Sequence, residues 1–325
     1  MREHILMDLR RALAAALALC CGACAAPVQV YGPGSAAAVA SSADAAPMLD
    51  ELQNMRYIGL GELPTTVTLH DGRWAGSPAP PGAASGALVT LDTEFRLAGD
   101  LDGDGVDDAV VLLTHSNGGT ATWSYLAVVA RAAGALRNVA TVALGDRVQI
   151  RSAHIADGTL SVSTVRAGPN DAACCPGELG EQQWALVGGR LVAQGNFTAG
   201  RLALTILAGR TWVLRAWDIG EPAPVQPVVT LVQTGGAFTG RSGCNRYTAG
   251  VKPGDMPGEL SVGLVAATLM ACPETESAVE SRFLQQLRSA RRFGFRSGRL
   301  AISTAGAEGP GKTMLFDASG PLPAP

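Results

Sequence analysis

Short apolar runs alternating with clusters of turn residues constrain the fold of this chain more than any other feature. The runs at 67–69, 88–91, 109–113, 125–130, 139–143, 148–150 and 160–165 are rich in Val, Leu and Ile. Each is of strand length and too short for a core-covering helix. Stretches such as HDGRW, HSNGGTATW and ADGT separate them. These hold the Gly, Asp and Asn that tight turns require. QQWALVGGRLVAQG, at 182–195, reads as a hairpin that turns on Gly188-Gly189. With 40 Gly and 19 Pro in 325 residues, long helices are disfavoured throughout.

One segment breaks this pattern. After Pro273, the residues Val279, Phe283, Leu284 and Leu287 recur at helical spacing. Ser277 with Glu280 three residues on matches a capping box. Arg288, Arg291 and Arg292 are expected in the last turns, where the helix dipole favours cations. Strands are expected before the helix at 211–216 and 228–232, and a closing hairpin after it from 300–303 and 313–316. The fold class is therefore α+β, mostly β. A chain of this length suits about two domains, here two small antiparallel β-rich domains over 51–199 and 200–320.

The first 24 residues have the form of an export signal. Arg10 and Arg11 precede the apolar stretch ALAAALALCCGAC, which is too short to span a membrane comfortably. Gly22-Ala23-Cys24 resembles the lipobox of bacterial lipoproteins, although Cys21 stands where that pattern prefers Leu. The resemblance implies lipidation at Cys24 and a membrane partner reached through the lipid. The alternative is an ordinary cleaved signal peptide. Ala25 after the cysteine implies an outer-membrane address facing the periplasm. Residues 25–50, with GPGSAAAVASSADAAP, read as a flexible tether. A formal net charge of −3 and an aromatic content of 5% argue against nucleic-acid binding, which needs concentrated basic surface and stacking platforms.

Of seven cysteines, Cys20, Cys21 and Cys24 belong to the export segment, leaving Cys174, Cys175, Cys244 and Cys272. In an oxidising compartment four cysteines allow three pairings. Cys174 and Cys175 are adjacent, and are expected either to form a vicinal disulfide or to stay reduced.

The stretches TWVL at 211–214, FTGRSGCNRYTAG and LSVGLVAATLMACPETESAVESRFLQQL resemble the META domain, over roughly residues 203–318. The family includes a bacterial heat-shock-associated outer-membrane lipoprotein. The resemblance implies a curled antiparallel sheet against one helix, with no catalytic residues and a role in envelope stress. Within that domain of an exported protein, Cys244 and Cys272 are expected to pair, joining the GCN turn to the segment before the helix. LGDRVQI at 144–150, GPNDAACCP at 168–176 and GDLDGDGVDDAVVLL at 99–113 are similar to an N-terminal module of bacterial envelope lipoproteins.

GDLDGDGVDD is the one candidate metal site. Asp100, Asp102 and Asp104 occupy positions 1, 3 and 5 of a calcium loop, with Gly105 at the sharp turn. Val106 would supply a backbone carbonyl, and Asp108 stands in for the late carboxylate. Oxygen-only donors suit a hard cation. The following AVVLL reads as a strand, where an EF-hand has its exit helix. The expectation is a weak structural Ca²⁺ site, with the solvated acidic turn as the alternative.

Gly306 to Thr313 satisfies GxxxxGK[ST]. A phosphate cradle, however, needs a helix after the loop, and TMLF reads as a strand, so no nucleotide is expected. No HExxH or GxSxG is present, and His70, His115 and His154 stand alone. The reading is a non-enzymatic envelope lipoprotein that acts by binding an envelope protein. The alternatives are a periplasmic inhibitor that blocks a hydrolase through loops around RSGCNRY, and a thiol-redox protein using Cys174 and Cys175.

Overall fold

The computed structural model describes residues 46–77, 86–132, 134–306 and 311–319. The signal segment with Cys24, and the tether up to residue 45, lie outside the described residues. The described residues are mostly β, as expected, with antiparallel sheets and, among them, one long helix near the C-terminus.

A one-turn helix, α1 (Leu49–Gln53), opens the described chain. Glu51 stabilises it by accepting the Met48 N–H at 2.9 Å and by pairing with Arg131 at 2.9 Å. A small hairpin of β1 (Arg56–Ile58) and β2 (Thr66–Thr68) follows. The first large sheet has five strands in sequence order. They are β3 (Arg73–Ala75), β4 (Leu88–Gly99), β5 (Asp108–Ser116), β6 (Trp123–Ala132) and β7 (Ala135–Asp146).

The central strands β5 and β6 are buried on both faces, which is why they read as unbroken apolar runs. Ala109, Val111 and Leu113 face one core with Tyr125, Ala127 and Val129; α1 and the small hairpin cover it through Leu52, Tyr57 and Val67. Val110 and Leu112 face a second core with Leu126 and Val128.

A four-stranded sheet closes that second core. It comprises β8 (Gln149–Ala156), β9 (Thr159–Arg166), β10 (Glu178–Val187) and β11 (Arg190–Arg201). Ile150, Leu160, Val162 and Trp184 supply the apolar side chains. The β10–β11 hairpin turns on Gly188 and Gly189, both with positive φ (56° and 73°). Those are the left-handed conformations that a two-residue hairpin loop needs. The chain then enters a short 3₁₀ turn, Leu204–Leu207.

The third sheet contains β12 (Thr211–Asp218), β13 (Glu221–Pro222), β14 (Thr230–Thr234), β15 (Ala237–Arg241), β16 (Arg246–Pro253), β17 (Leu260–Ala267), β18 (Ala290–Arg296), β19 (Arg299–Thr304) and β20 (Thr313–Ser319). Its order is β17-β16-β15-β14-β12-β20-β19-β18, with β13 on β12. The sheet curls until its ends meet, where Phe293 N–H donates to Gly258 O at 2.7 Å and Glu259 bridges to Arg292. The helix α2 (Glu274–Arg288) buries Phe283, Leu284 and Leu287 in this core. Phe283 meets Tyr247 edge-on, with ring centroids 5.2 Å apart. Val165 and Leu179 of the second sheet join the same core. Gln149 Oε1 accepts the Phe295 N–H at 2.8 Å, and Ser297 Oγ donates to Asp92 at 2.7 Å.

Two local expectations fail around α2. The helix starts at Glu274 with Pro273 as its N-cap, so Ser277 lies inside the first turn and makes no capping box with Glu280. The Glu280 carboxylate instead serves a turn in the sheet. The helix also ends at Arg288; Arg291 and Arg292 belong to β18. RRFGFR alternates buried Phe293 and Phe295 with less buried neighbours, a strand period that outweighs the dipole argument.

Candidate functional site

The acidic loop is the hairpin connection between β4 and β5, whose last pair is Gly99↔Asp108. The carboxylates fold the loop around themselves. Asp100 accepts the N–H groups of Gly103 at 2.7 Å and Gly105 at 3.0 Å. Asp102 accepts Asp104 N–H at 3.1 Å, and Asp104 accepts Val106 N–H at 2.8 Å. Gly103 and Gly105 have φ of 82° and 86°, which a side chain would strain.

Asp108 enters from the strand side. It is 3% exposed and accepts Leu101 N–H at 3.0 Å. Asp100, Asp102 and Asp108 each place a carboxylate oxygen within 4.8 Å of the others. Asp104 lies outside that group, its carboxylate turned to Val106. Burial pushes the Asp108 carboxyl up to about 6, with the negative charges of Asp102, Asp104 and Asp100 adding to the effect and the Leu101 hydrogen bond opposing it. Three converging carboxylates with oxygen-only chemistry fit a hard divalent cation. Asp100, Asp102 and Asp108 are the residues that would hold it.

The second constellation is a polar network in the C-terminal sheet. Residues 242–245 form the turn between β15 and β16, closed by Ser242 N–H to Asn245 O at 2.9 Å. Ser242 is fully buried and Asn245 is 4% exposed. Glu280 reaches them from α2. Its carboxylate accepts Ser242 Oγ–H at 2.6 Å, Asn245 N–H at 2.8 Å and Asn245 Nδ2–H at 3.0 Å. Burial would raise the Glu280 carboxyl, but these bonds together hold it below the ordinary carboxylate range.

The other end of the Asn245 amide accepts Thr268 Oγ1–H at 2.7 Å and Met270 N–H at 2.9 Å. Asn245 thus fastens α2, the β15–β16 turn and the segment after β17. Gly243 allows the close approach. A Cβ there would sit 3.3 Å from Val279 Cγ1 and 3.4 Å from Glu276 O, and its φ is 116°. Cys244 and Cys272 face each other at disulfide distance across this junction, as expected, with Cα atoms 6.2 Å apart.

The sulfur atoms of Cys174 and Cys175 are also paired, with Cα atoms 3.8 Å apart. The loop that carries them is organised by Asp171, which the sequence reading passed over. Its side chain is 2% exposed, pairs with Arg201, and accepts Gly168 N–H at 2.7 Å and Gly177 N–H at 2.8 Å. The Arg201 guanidinium and those two N–H groups hold its carboxyl down to about 2, against the opposing effect of burial. Residues 307–310 of the GxxxxGK[ST] pattern lie outside the described residues. Those that follow, from Thr313, form β20, paired antiparallel with β19. A strand stands where a phosphate-binding loop has its helix.

No curated protein matches the chain. An NMR structure of a protein from Burkholderia xenovorans is 27% identical, over 36% of this chain and 86% of its own, with a TM-score of 0.29. A second NMR structure is 19% identical over 35% of this chain and 93% of its own, with a TM-score of 0.28. The GCN turn, the helix that reaches into it and every strand of the curled sheet lie in residues 203–319, which match the family model of the META domain.

Proposed function

We propose that this protein is a non-enzymatic, lipid-anchored component of the cell envelope, held at the outer membrane through Cys24 and facing the periplasm. Its META domain would act in envelope stress by binding a protein partner. The observation that carries this reading is the division of labour around Asn245. The polar side chains of the family motif satisfy one another, whereas the segment they pin presents Leu269, 98% exposed, and Met270, 58% exposed. Adjacent exposed apolar side chains on a pinned segment offer a partner a contact point. Crosslinking in intact envelopes tests the reading. Leu269→Asp with Met270→Asp is expected to abolish the crosslinked species; an unchanged pattern would refute it. Labelling with a palmitate analogue tests the anchor, and an unlabelled mature protein would remove it. A second reading, inhibition of a hydrolase, would use this surface and not the RSGCNRY turn expected from the sequence, since Ser242, Cys244, Asn245 and Tyr247 are buried; assays against lysozymes and proteases decide.

The acidic loop enters the same reading as a staple. A Ca²⁺ ion held by Asp100, Asp102 and Asp108 would neutralise their mutual repulsion and fasten the β4–β5 hairpin, with a dissociation constant on the order of 10⁻⁴ to 10⁻³ M as in extracellular modules.

A further inference from the structure

The five-stranded sheet carries a cleft that none of the features above uses. It opens where β5 ends and β6 begins, between the sheet and the loop after β1, with a volume of about 390 Å³. That lies within the range of small-molecule sites, about 300–1,000 Å³. Register builds one wall: His115 on β5 pairs directly with Trp123 on β6, and Tyr125 lies two residues further along the same face. Gly61, Glu62 and Asn117 complete the lining.

Two buried polar side chains line this cleft. Tyr125 is 4% exposed and brings its hydroxyl to it. The hydroxyl lies against the loop backbone, since a Cβ on Gly61 would meet it at 2.7 Å. Burial, and then the Glu62 carboxylate, raise this phenol above its ordinary range, so it stays a hydroxyl. His115, also 4% exposed, places Nε2 at 2.6 Å from Asn117 Oδ1, while its buried Nδ1 has no partner. Buried polar groups normally find partners, and an orphan marks a place where something is missing. Beside them Trp123 is 44% exposed, although a tryptophan is usually well buried.

The geometry points to a saccharide-binding cleft: a sugar ring stacks its C–H face on Trp123 and hydrogen-bonds through its hydroxyls to Tyr125, Glu62 and His115. The chemistry of the lining selects this class. A purely apolar ligand would leave the imidazole Nδ1 unpaired, at the cost attached to a buried orphan. An anion would be repelled by Glu62. Sugar hydroxyls both donate and accept, so they match a donor (the phenol) and acceptors (the carboxylate and, in the neutral ring, Nδ1) at once. The volume suits one or two rings.

The test uses the full chain with cellobiose and N,N′-diacetylchitobiose, followed by tryptophan fluorescence and saturation-transfer NMR. Trp184, Trp212 and Trp217 are buried and Trp74 is half-buried, so Trp123, the most exposed of the five, is placed to report, and Trp123→Ala shows which signal is its own. Saturable binding at millimolar sugar is expected for at least one of the two. Tyr125→Phe is expected to weaken it about three- to tenfold while leaving the melting temperature unchanged. Trp123→Ala is expected to abolish it. The proposal is overturned if neither sugar binds, if binding survives both substitutions unchanged, or if tetramethylammonium shifts the fluorescence and neither sugar does.

Discussion

Replacing Glu280 tests whether the C-terminal domain is held by its polar junction. In the wild type the carboxylate accepts three hydrogen bonds from Ser242 and Asn245, both buried. Glu280→Ala removes the acceptor. The Ser242 hydroxyl keeps a partner, since Asn245 O lies 2.9 Å away. The Asn245 N–H is orphaned and its Nδ2 keeps only the weak acceptor Cys272 Sγ at 3.5 Å; each buried donor left short of its partner costs about 1–3 kcal/mol. Partial solvent access at Glu280 favours the lower half of that range, so the expected loss is about 2–4 kcal/mol. With 2–4 °C per kcal/mol for chains of 150–250 residues, this is a fall of roughly 5–15 °C. Glu280→Gln separates acceptor loss from shape. Its oxygen can take the Ser242 and Asn245 backbone donors, but its NH₂ then faces Asn245 Nδ2, whose orientation Thr268 and Met270 fix. The amide is expected to cost about 1–2 kcal/mol, between wild type and alanine. The sign of the pH dependence follows from the depressed carboxyl. The contribution is fully present above the unfolded value near 4.5 and is lost as pH falls through the lower folded value. The gap between wild type and Glu280→Gln should therefore close on acidification. Calorimetry across pH checks both parts. A Glu280→Ala protein within about 0.5 kcal/mol of wild type, the usual range for an inert surface change, would refute the reasoning.

Three further outcomes are expected. Replacing Cys244 and Cys272 together by Ser opens a link between residues 28 apart; the chain-entropy model gives a loss of about 3.5 kcal/mol, read as a lower melting temperature under non-reducing conditions, and an unchanged one would sink the pairing. Ca²⁺ at about 1 mM should stabilise the wild type by about 0.4–1.4 kcal/mol at a site of this class and leave Asp100→Asn with Asp108→Asn unaffected; thermal melts with and without chelator decide. Asp171, held down to about 2 from 3.8, contributes stability that is complete above 3.8 and drains away as pH falls toward 2. Asp171→Asn should therefore be less stable at neutral pH and show a shallower loss in acid, and parallel acid-unfolding curves would refute this role.

The strands were legible because burial writes itself into short sequence windows. AVVLL in β5 and YLAVVA in β6 face two cores, so they are continuous runs. TLSVSTVR in β9 alternates because its sheet covers the second core with one face. The helix was legible from Phe283, Leu284 and Leu287, but its start was not. Ser277-x-x-Glu280 satisfies the local rule for a helix N-terminus, yet Glu280 finds three better-placed donors in a turn 35 residues away. A local pattern predicts a cap only when no tertiary partner competes for the same carboxylate. The strand alternation in RRFGFR was visible throughout and should have outweighed the charge argument for Arg291 and Arg292.

The same contrast governs the sites. The acidic loop draws its converging carboxylates from nine consecutive residues, so spacing alone pointed to the loop, and the structure adds that Asp104 turns its carboxylate to Val106. The junction at Asn245 and the cleft at Tyr125 are assembled by register. Nothing near Asn245 in sequence announces that Thr268, Met270 and Glu280 converge on its one amide, and nothing near His115 announces that Trp123 stands opposite it. The family likeness did mark Gly243, Cys244, Asn245, Thr268 and Cys272, but as a pattern without a cause. Each now has one: a glycine beside α2 whose φ of 116° a side chain would strain, a cysteine pair across the seam, and an amide committed to Glu280 at one end and to Thr268 and Met270 at the other. Substituting Asn245 by Asp would keep the acceptor for Thr268 and Met270 while setting a second carboxylate against Glu280. The junction should therefore fail through the α2 contact first. Hydrogen exchange would show this as early opening of α2, with the Thr268–Met270 link still protected.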